Sequence, residues 1–328
     1  MAPWNRAPNF RQDGEMTDNG PTLAQVGEFG VIDRLVADRR QPPAVTLGPG
    51  DDAAVLHGAT AVSTDMLVQG RHFRLDWSRP HDIGRKAIAQ NAADIEAMGA
   101  VPTAFVVAFA APPDTPAAAA QQLSDGMWVE ALRCGGGIAG GDLVSAPLWV
   151  ISVTALGDLD GREPVRRDTA GPGQKVAVIG DLGTSAAGYA LWDNGIDDHH
   201  ELRDAHLVPR PPYGQGRVAA EAGATAMTDI SDGLLADLGH IAGASGVGIA
   251  LPREALSADH DRVAAAAAAV GRDGWEWVLG GGEEHALAAV FDGPVPAGWR
   301  VIGETTDGPP AVSVDGLPWH ASAGWQSY

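Results

Sequence analysis

Apolar positions change period along the chain, and each period predicts an element. Phe29, Ile32, Leu35 and Val36 recur at helical spacing within 26–39. The run TAVSTDML, 60–67, predicts a short strand ending in polar residues. Residues 82–100 predict a helix with Ile88, Ala92, Ile95 and Met98 on its apolar face and Gly99 as its stop. A strand over 103–112 is halted by Pro112 and Pro113, and an amphipathic helix over 116–133 and a strand over 147–157 follow. The pattern then breaks into GREPVRRDTAGPG, 161–173, where a domain boundary is expected. Beyond it come a buried strand over 174–180, a helix from 184, and a polar, Pro-containing loop over 193–212. A helix over 231–246 turns Leu234, Leu235, Leu238 and Ile241 to a core; an alanine run at 264–269 and a strand over 284–291 complete the series. Strand and helix alternate in both halves, which predicts an α/β fold (α+β layers). The expected division is a loose, polar tail at 1–22, a first domain at 23–160 and a second at 161–328.

Charge narrows the partners. With 42 acidic against 22 basic residues the net charge is −20, which argues against nucleic acid and anionic membrane. A phosphate ligand would need cations or backbone donors to hold it. Cys134 is the only cysteine, so an intrachain disulfide and a cysteine-based zinc site are excluded and a structural thiol is expected. The N-terminal stretch lacks the apolar core of a signal peptide, and no run approaches the roughly 18 apolar residues of a membrane span. A cytoplasmic protein is the expectation.

Candidate chemistry lies with the aspartates. Asp51 and Asp52 are adjacent in GPGDDAAV, Asp65 lies in STDML, Asp142 in GGDL, and Asp229 and Asp232 in TDISDGL. Asp94 sits inside a helix, off its apolar stripe. Any one alone reads as a cap or turn residue. Several converging would repel one another and demand a cation. Hydroxyls beside them (Ser63, Thr64, Ser231) suit a hard ion such as magnesium, and glycine-rich loops beside magnesium suit a polyphosphate. The sequence has no G-x-x-x-x-G-K-[ST] loop and no G-x-S-x-G elbow. Gly135, Gly137 and Gly140 match G-x-G-x-x-G but follow a helix and lead towards an acidic turn, the wrong context for a dinucleotide. Arg166 and Arg167 read either as a phosphate clamp or as linker charges. His72 follows a glycine, His199 and His200 fall in a polar loop, and Glu283 and Glu284 follow three glycines.

Taken in order, GEFGVIDRL, GPGDDAAV, STDMLVQGRHF, KAIAQNAADIEAMGA, GGDL, GREPVRRDTAGPG, TDISDGLLADLGHIA and GGGEEHAL resemble the thiamine-monophosphate kinases. These belong to the aminoimidazole-ribonucleotide-synthetase-like ATP-binding group. The resemblance implies a two-domain fold whose N-terminal sheet domain dimerises, hence a homodimer. It implies ATP as co-substrate, several magnesium ions (Mg2+), and phosphorylation of thiamine phosphate to thiamine diphosphate by direct in-line transfer. It places metal at Asp52, Ser63, Thr64, Asp65, Asp94, Asp142, Asp229 and Asp232, with Asp52, Asp65, Asp94, Asp142 and Asp229 catalytic through it. It places ATP at Gly141, Asp142, Ser231 and an arginine; counting back from AGPG favours Arg167 over Arg166. Substrate contacts fall on His72, Glu283 and Trp325. The ending WQSY departs from the family's usual histidine-phenylalanine pair. One cysteine argues against the relatives that use cysteine chemistry. A purine-synthesis type of enzyme and a non-catalytic metal- and nucleotide-binding sensor stand as alternatives.

Overall fold

The computed structural model describes residues 21–26, 34, 42–43, 45–47, 55–56, 60–319 and 324. A short helix α1 (Leu23–Val26) and an antiparallel pair, β1 (Val45–Leu47) with β2 (Val55–Leu56), precede the first large sheet. Its strands are β3 (Thr60–Val68), β4 (Val101–Ala111), β5 (Gly137–Ser145) and β6 (Val150–Asp158). They lie in the order β3-β6-β4-β5, antiparallel except for β4 beside β5. A parallel neighbour needs a crossover, and helix α3 (Ala117–Arg133) supplies it. Helix α2 (Pro80–Ala97) joins β3 to β4 and packs on the same face.

The two helices nearly touch backbone to backbone. A Cβ on Gly84 would stand 2.0 Å from the Leu123 carbonyl oxygen, and one on Gly126 would stand 1.9 Å from that of His81. Only glycine permits this approach. Helix α2 is buried almost all round, because β8 and the second half of the molecule cover what the sheet leaves open. Phe105, Trp149, Ile151 and Val153 fill the space under the helices. The other face of the sheet leaves Val62, Met66, Val106 and Val144 exposed.

The second sheet runs β13-β12-β9-β11-β7-β10-β8. Its members are β7 (Lys175–Ile179), β8 (Ala224–Asp229), β9 (Gly248–Leu251), β10 (Leu287–Phe291), β11 (Arg300–Thr306), β12 (Val312–Val314) and β13 (Leu317–Pro318). Every pair is antiparallel except β9 with β12. Strand β10 shows why its sequence reads as an unbroken apolar run. Ala288 and Val290 face one core, Leu287, Ala289 and Phe291 the other, and both faces are covered. Helices α4 (Thr184–Asp193), α7 (Leu234–Ser245), α8 (Ser257–Val270) and α9 (Gly274–Gly280) fill the first side. The second side carries α6 (Gln215–Glu221) and meets Ala97 of α2.

Two local expectations are corrected. The acidic turn expected at GGDL is strand β5, running parallel to β4. Its glycines are poor strand formers, but a Cβ on Gly141 would lie 2.0 Å from the Val107 carbonyl oxygen, so the pairing itself demands glycine. The polar loop over 193–212 contains helix α5 (His200–Leu207), which buries only Leu202, His206 and Leu207 and so lacks a strong apolar stripe. Among the described residues no helix is long and apolar enough to cross a membrane.

Candidate active site

Strand β3 sends alternate side chains to opposite faces, and its odd positions meet helix α2. The Ser63 hydroxyl donates to Asp94 Oδ2 at 2.6 Å, and Gln90 Nε2 donates to Asp65 Oδ2 at 2.7 Å. Asp229, at the end of β8, is buried and its Oδ2 lies 2.9 Å from His285 Nδ1. Burial pushes the Asp94 carboxyl up to about 7, and the charges of Asp229 and Asp65 add to the rise, against the Ser63 hydrogen bond and His285. Asp232 is raised by burial, with Asp229 and Asp65 adding to the rise and His240 and Arg167 opposing it. Burial would lower the His285 imidazole, but the hydrogen bond and charge of Asp229 outweigh it and keep the ring in its protonated form to higher pH.

Four aspartates from β3, α2, β8 and the loop after β8 thus share one field. The loop is held by Asp237, whose Oδ2 accepts from the amides of Ser231, Asp232 and Gly233 at 3.0, 3.1 and 3.0 Å. Ligand atoms of Asp232, Asp237 and His240 all lie within 4.8 Å of one another. This all-carboxylate set with few cations fits hard divalent ions, whose charge would relieve the repulsion that raises Asp94.

The turn at 283–285 distributes three consecutive side chains to three places. Glu283 and His285 both have left-handed backbones, φ 67° and 55°, which non-glycine residues rarely adopt. Hydrogen bonds donated by the Glu283 amide to the Ser231 carbonyl (2.9 Å) and by the His285 amide to that of Ile230 (3.0 Å) hold them there. His285 turns to Asp229. Glu284 accepts the Ser185 amide at 2.9 Å at the start of α4, and burial pushes its carboxyl up to about 8. Glu283 Oε2 lies 3.2 Å from Lys86 Nζ and 3.5 Å from His206 Nδ1. Burial would raise the Glu283 carboxyl, yet the Lys86 ammonium beside it leads the opposing effects that leave it below its usual range. Burial and Lys86 push His206 down to about 4, so the ring is neutral at pH 7 and its approach to Glu283 is not an ion pair.

Other expected residues fall in different places. The Thr64 hydroxyl donates to the Val153 carbonyl at 2.9 Å, on the face of β3 turned away from Asp94. Gly141 and Asp142 lie on β5, the opposite edge of the sheet from β3, and Asp142 Oδ1 accepts the Leu143 amide at 2.9 Å. Arg166 pairs with Asp168, whereas Arg167 acts on Asp232. His72 Nδ1 accepts the Val68 amide at 3.0 Å, and its carbonyl accepts from Lys86 at 2.9 Å. His199 and His200 line an open cleft of about 780 Å3 with Thr184, Arg210, Arg262 and Glu284, and none of the four aspartates lines it. Cys134 is buried, with its thiol pushed up to about 12 by burial. Asp51, Asp52 and Trp325 lie outside the described residues.

Sequence reasoning missed Lys86, Gln90, His206, Asp237 and His285. A signal for the first two exists: Lys86, Gln90 and Asp94 recur at i, i+4 and i+8, one polar stripe on α2. Such a stripe normally faces water, whereas here it faces the site.

Family models match at residues 50–159, as AIR synthase related protein, N-terminal domain, and at 171–315, as its C-terminal domain. The thiamine-monophosphate kinase of Mycobacterium tuberculosis is 65% identical over 320 residues, covering 97% of this chain and 96% of that one. The crystal structure of thiamine-monophosphate kinase from Stenotrophomonas maltophilia K279a superposes with a TM-score of 0.74 at 31% identity, over 88% of this chain and 95% of that one. AaThiL complexed with AMPPCP and TMP gives 0.73 at 27% identity, over 95% and 100%.

Proposed function

The chain belongs to the thiamine-monophosphate kinase family, and from that premise we propose that it moves the γ-phosphoryl group of ATP directly onto thiamine phosphate, yielding thiamine diphosphate and ADP. The observation that carries this reading is the convergence of Asp65, Asp94, Asp229 and Asp232 on one field with few cations among them. The relative complexed with AMPPCP and TMP supports the substrate pair.

The chemistry asks little acid–base help of the protein. A phosphate monoester has its second pKa near about 6, so the acceptor is already anionic at neutral pH. His285 is engaged with Asp229 and need not act as a base. What opposes transfer is repulsion between two phosphates. Magnesium, when bound, supplies the charge that offsets it. Asp65, Asp94, Asp229 and Asp232 would hold the ions with Asp52, Asp142 and Ser63; Thr64 would offer its carbonyl, since its hydroxyl is engaged with Val153. Asp237 fixes the loop that presents Ser231 and Asp232. Arg167, Ser231 and Gly141 would bind ATP, while His72, Glu283 and Trp325 grip the acceptor. With both phosphates fixed, in-line displacement needs no covalent phospho-enzyme.

A homodimer paired through the first sheet belongs to the same reading, and the outer face of that sheet supports it. Val62 and Val144 are 63% and 53% exposed on its outer face, an apolar surface suited to a second copy. Asp142 stands three strand spacings, about 14 Å, from β3 within one chain, and would complete the site of the partner copy. The test is incubation with ATP, magnesium and thiamine phosphate, followed by separation of products. Equal amounts of ADP and thiamine diphosphate are expected. Folded protein that forms no diphosphate would reject the reading.

A further inference from the structure

Lys86 lies on α2, one turn before Gln90 and two before Asp94, and is 2% exposed. A buried ammonium needs acceptors for all its protons, and it has three to place. The His72 carbonyl takes one at 2.9 Å, Glu283 Oε2 one at 3.2 Å, and the His206 carbonyl the third at 3.5 Å. None remains for a phosphate. These acceptors belong to three separate segments: the loop after β3, the strained turn before β10, and the end of α5.

Glu283 is therefore not a free charge. Its Oε2 is shared by Lys86 and the His206 ring, whose Nδ1 also lies 3.1 Å from the Ser185 hydroxyl. Its side chain is still 36% exposed, open enough to meet a ligand. The same ammonium that orients this carboxylate also holds the main chain of His72. We propose that Lys86 is the positioning residue of the acceptor end of the site: it fixes Glu283 and the His72 loop in one arrangement and never touches substrate. This rests on the reading of His72 and Glu283 as thiamine phosphate contacts.

The test is a double-mutant cycle on KM. Wild type, Lys86→Met, Glu283→Gln and the double variant are assayed against thiamine phosphate and, separately, ATP. Lys86→Met is expected to raise KM for thiamine phosphate about tenfold or more while KM for ATP stays within about twofold. Because Lys86 acts partly through Glu283 and partly through the His72 loop, the rise in KM for thiamine phosphate in the double variant is expected to be smaller than the product of the two single rises. An unchanged KM in Lys86→Met, an equal rise for ATP, or effects that add in full would each overturn the proposal. Should Lys86→Met fail to fold with Glu283 left unpaired, the double variant lacks both charges and carries the test against Glu283→Gln: a further rise in KM for thiamine phosphate with KM for ATP within about twofold, from release of the His72 loop, supports it, and an unchanged KM for thiamine phosphate or an equal rise for ATP overturns it. Wild-type turnover is the control. Its absence rejects the substrate reading, whereas normal wild-type turnover with an unaltered Lys86→Met rejects the positioning role alone.

Discussion

Two buried polar clusters meet at the turn 283–285, and they are built on opposite plans. Around Glu283, one ammonium, one carboxylate and one neutral histidine balance and satisfy each other. Around Asp229, one histidine faces Asp94 and Asp229, with Asp65 and Asp232 close enough to raise their neighbours. The first cluster is complete as it stands. The second is not, and burial makes the imbalance costly. A protein keeps such an arrangement where a cation arrives with its ligand, so in the proposed reading the unbalanced cluster is the metal-holding end and the balanced cluster the end that holds a shape.

The largest expected effect breaks that contrast at the acidic side. Asp65→Asn should lower kcat by about 1000-fold or more, because it removes a carboxylate proposed to hold magnesium, while circular dichroism shows an intact fold. Near-normal turnover would remove Asp65 from the metal site. A sharper version uses the sheet edges. If Asp142 serves the partner's site, mixing inactive Asp65→Asn and Asp142→Asn chains by partial denaturation and refolding should restore about a quarter of wild-type activity. Half of the dimers are then mixed, each with one intact site. No recovery would put Asp142 in the site of its own chain.

Legibility in the sequence follows the same divide. The strand at 60–68 and the helices at 80–97 and 117–133 were predicted nearly to their ends, because their apolar residues recur at the period of the element, even in α2, which is buried almost all round. Strand β5 was hidden by its glycines, of which Gly141 is demanded by the close pairing with β4, and α5 by a run of charges. For the site, Ser63, Asp65, Asp94, Asp229 and Asp232 could be picked out as chemistry-bearing types in ordered motifs, and the structure brings them together. Lys86 shares a polar stripe with Asp94, but a lysine on a helix reads as solvated, and its burial depends on segments more than 100 residues away. His285 was passed over because its meaning lies in a positive φ that no composition announces.

Smaller effects concern the protein without metal. The Asp94 carboxyl is raised from its ordinary value to about 7, so its protonated form favours the fold. In EDTA, thermal stability should fall as pH rises from about 4 towards about 7, and Asp94→Asn should reduce that slope, the remainder coming from Glu96, Asp237 and Glu284, whose carboxyls burial also raises to about 7, about 7 and about 8. At pH 8 in EDTA the variant should melt a few degrees higher than wild type, a gain of about 1 kcal/mol. A slope unchanged by the substitution would place its origin elsewhere. Least of all should change at Cys134: with its thiol raised to about 12, the native protein should leave a thiol reagent unreacted at pH 8 until denaturant is added.

The central claim is that the unbalanced aspartates receive cations during nucleotide binding. It is tested most directly by counting manganese ions bound per chain, by electron paramagnetic resonance, with a non-hydrolysable ATP analogue present. Wild type should bind at least one ion more than Asp94→Asn under the same conditions. Equal numbers and affinities in the two proteins would contradict the account.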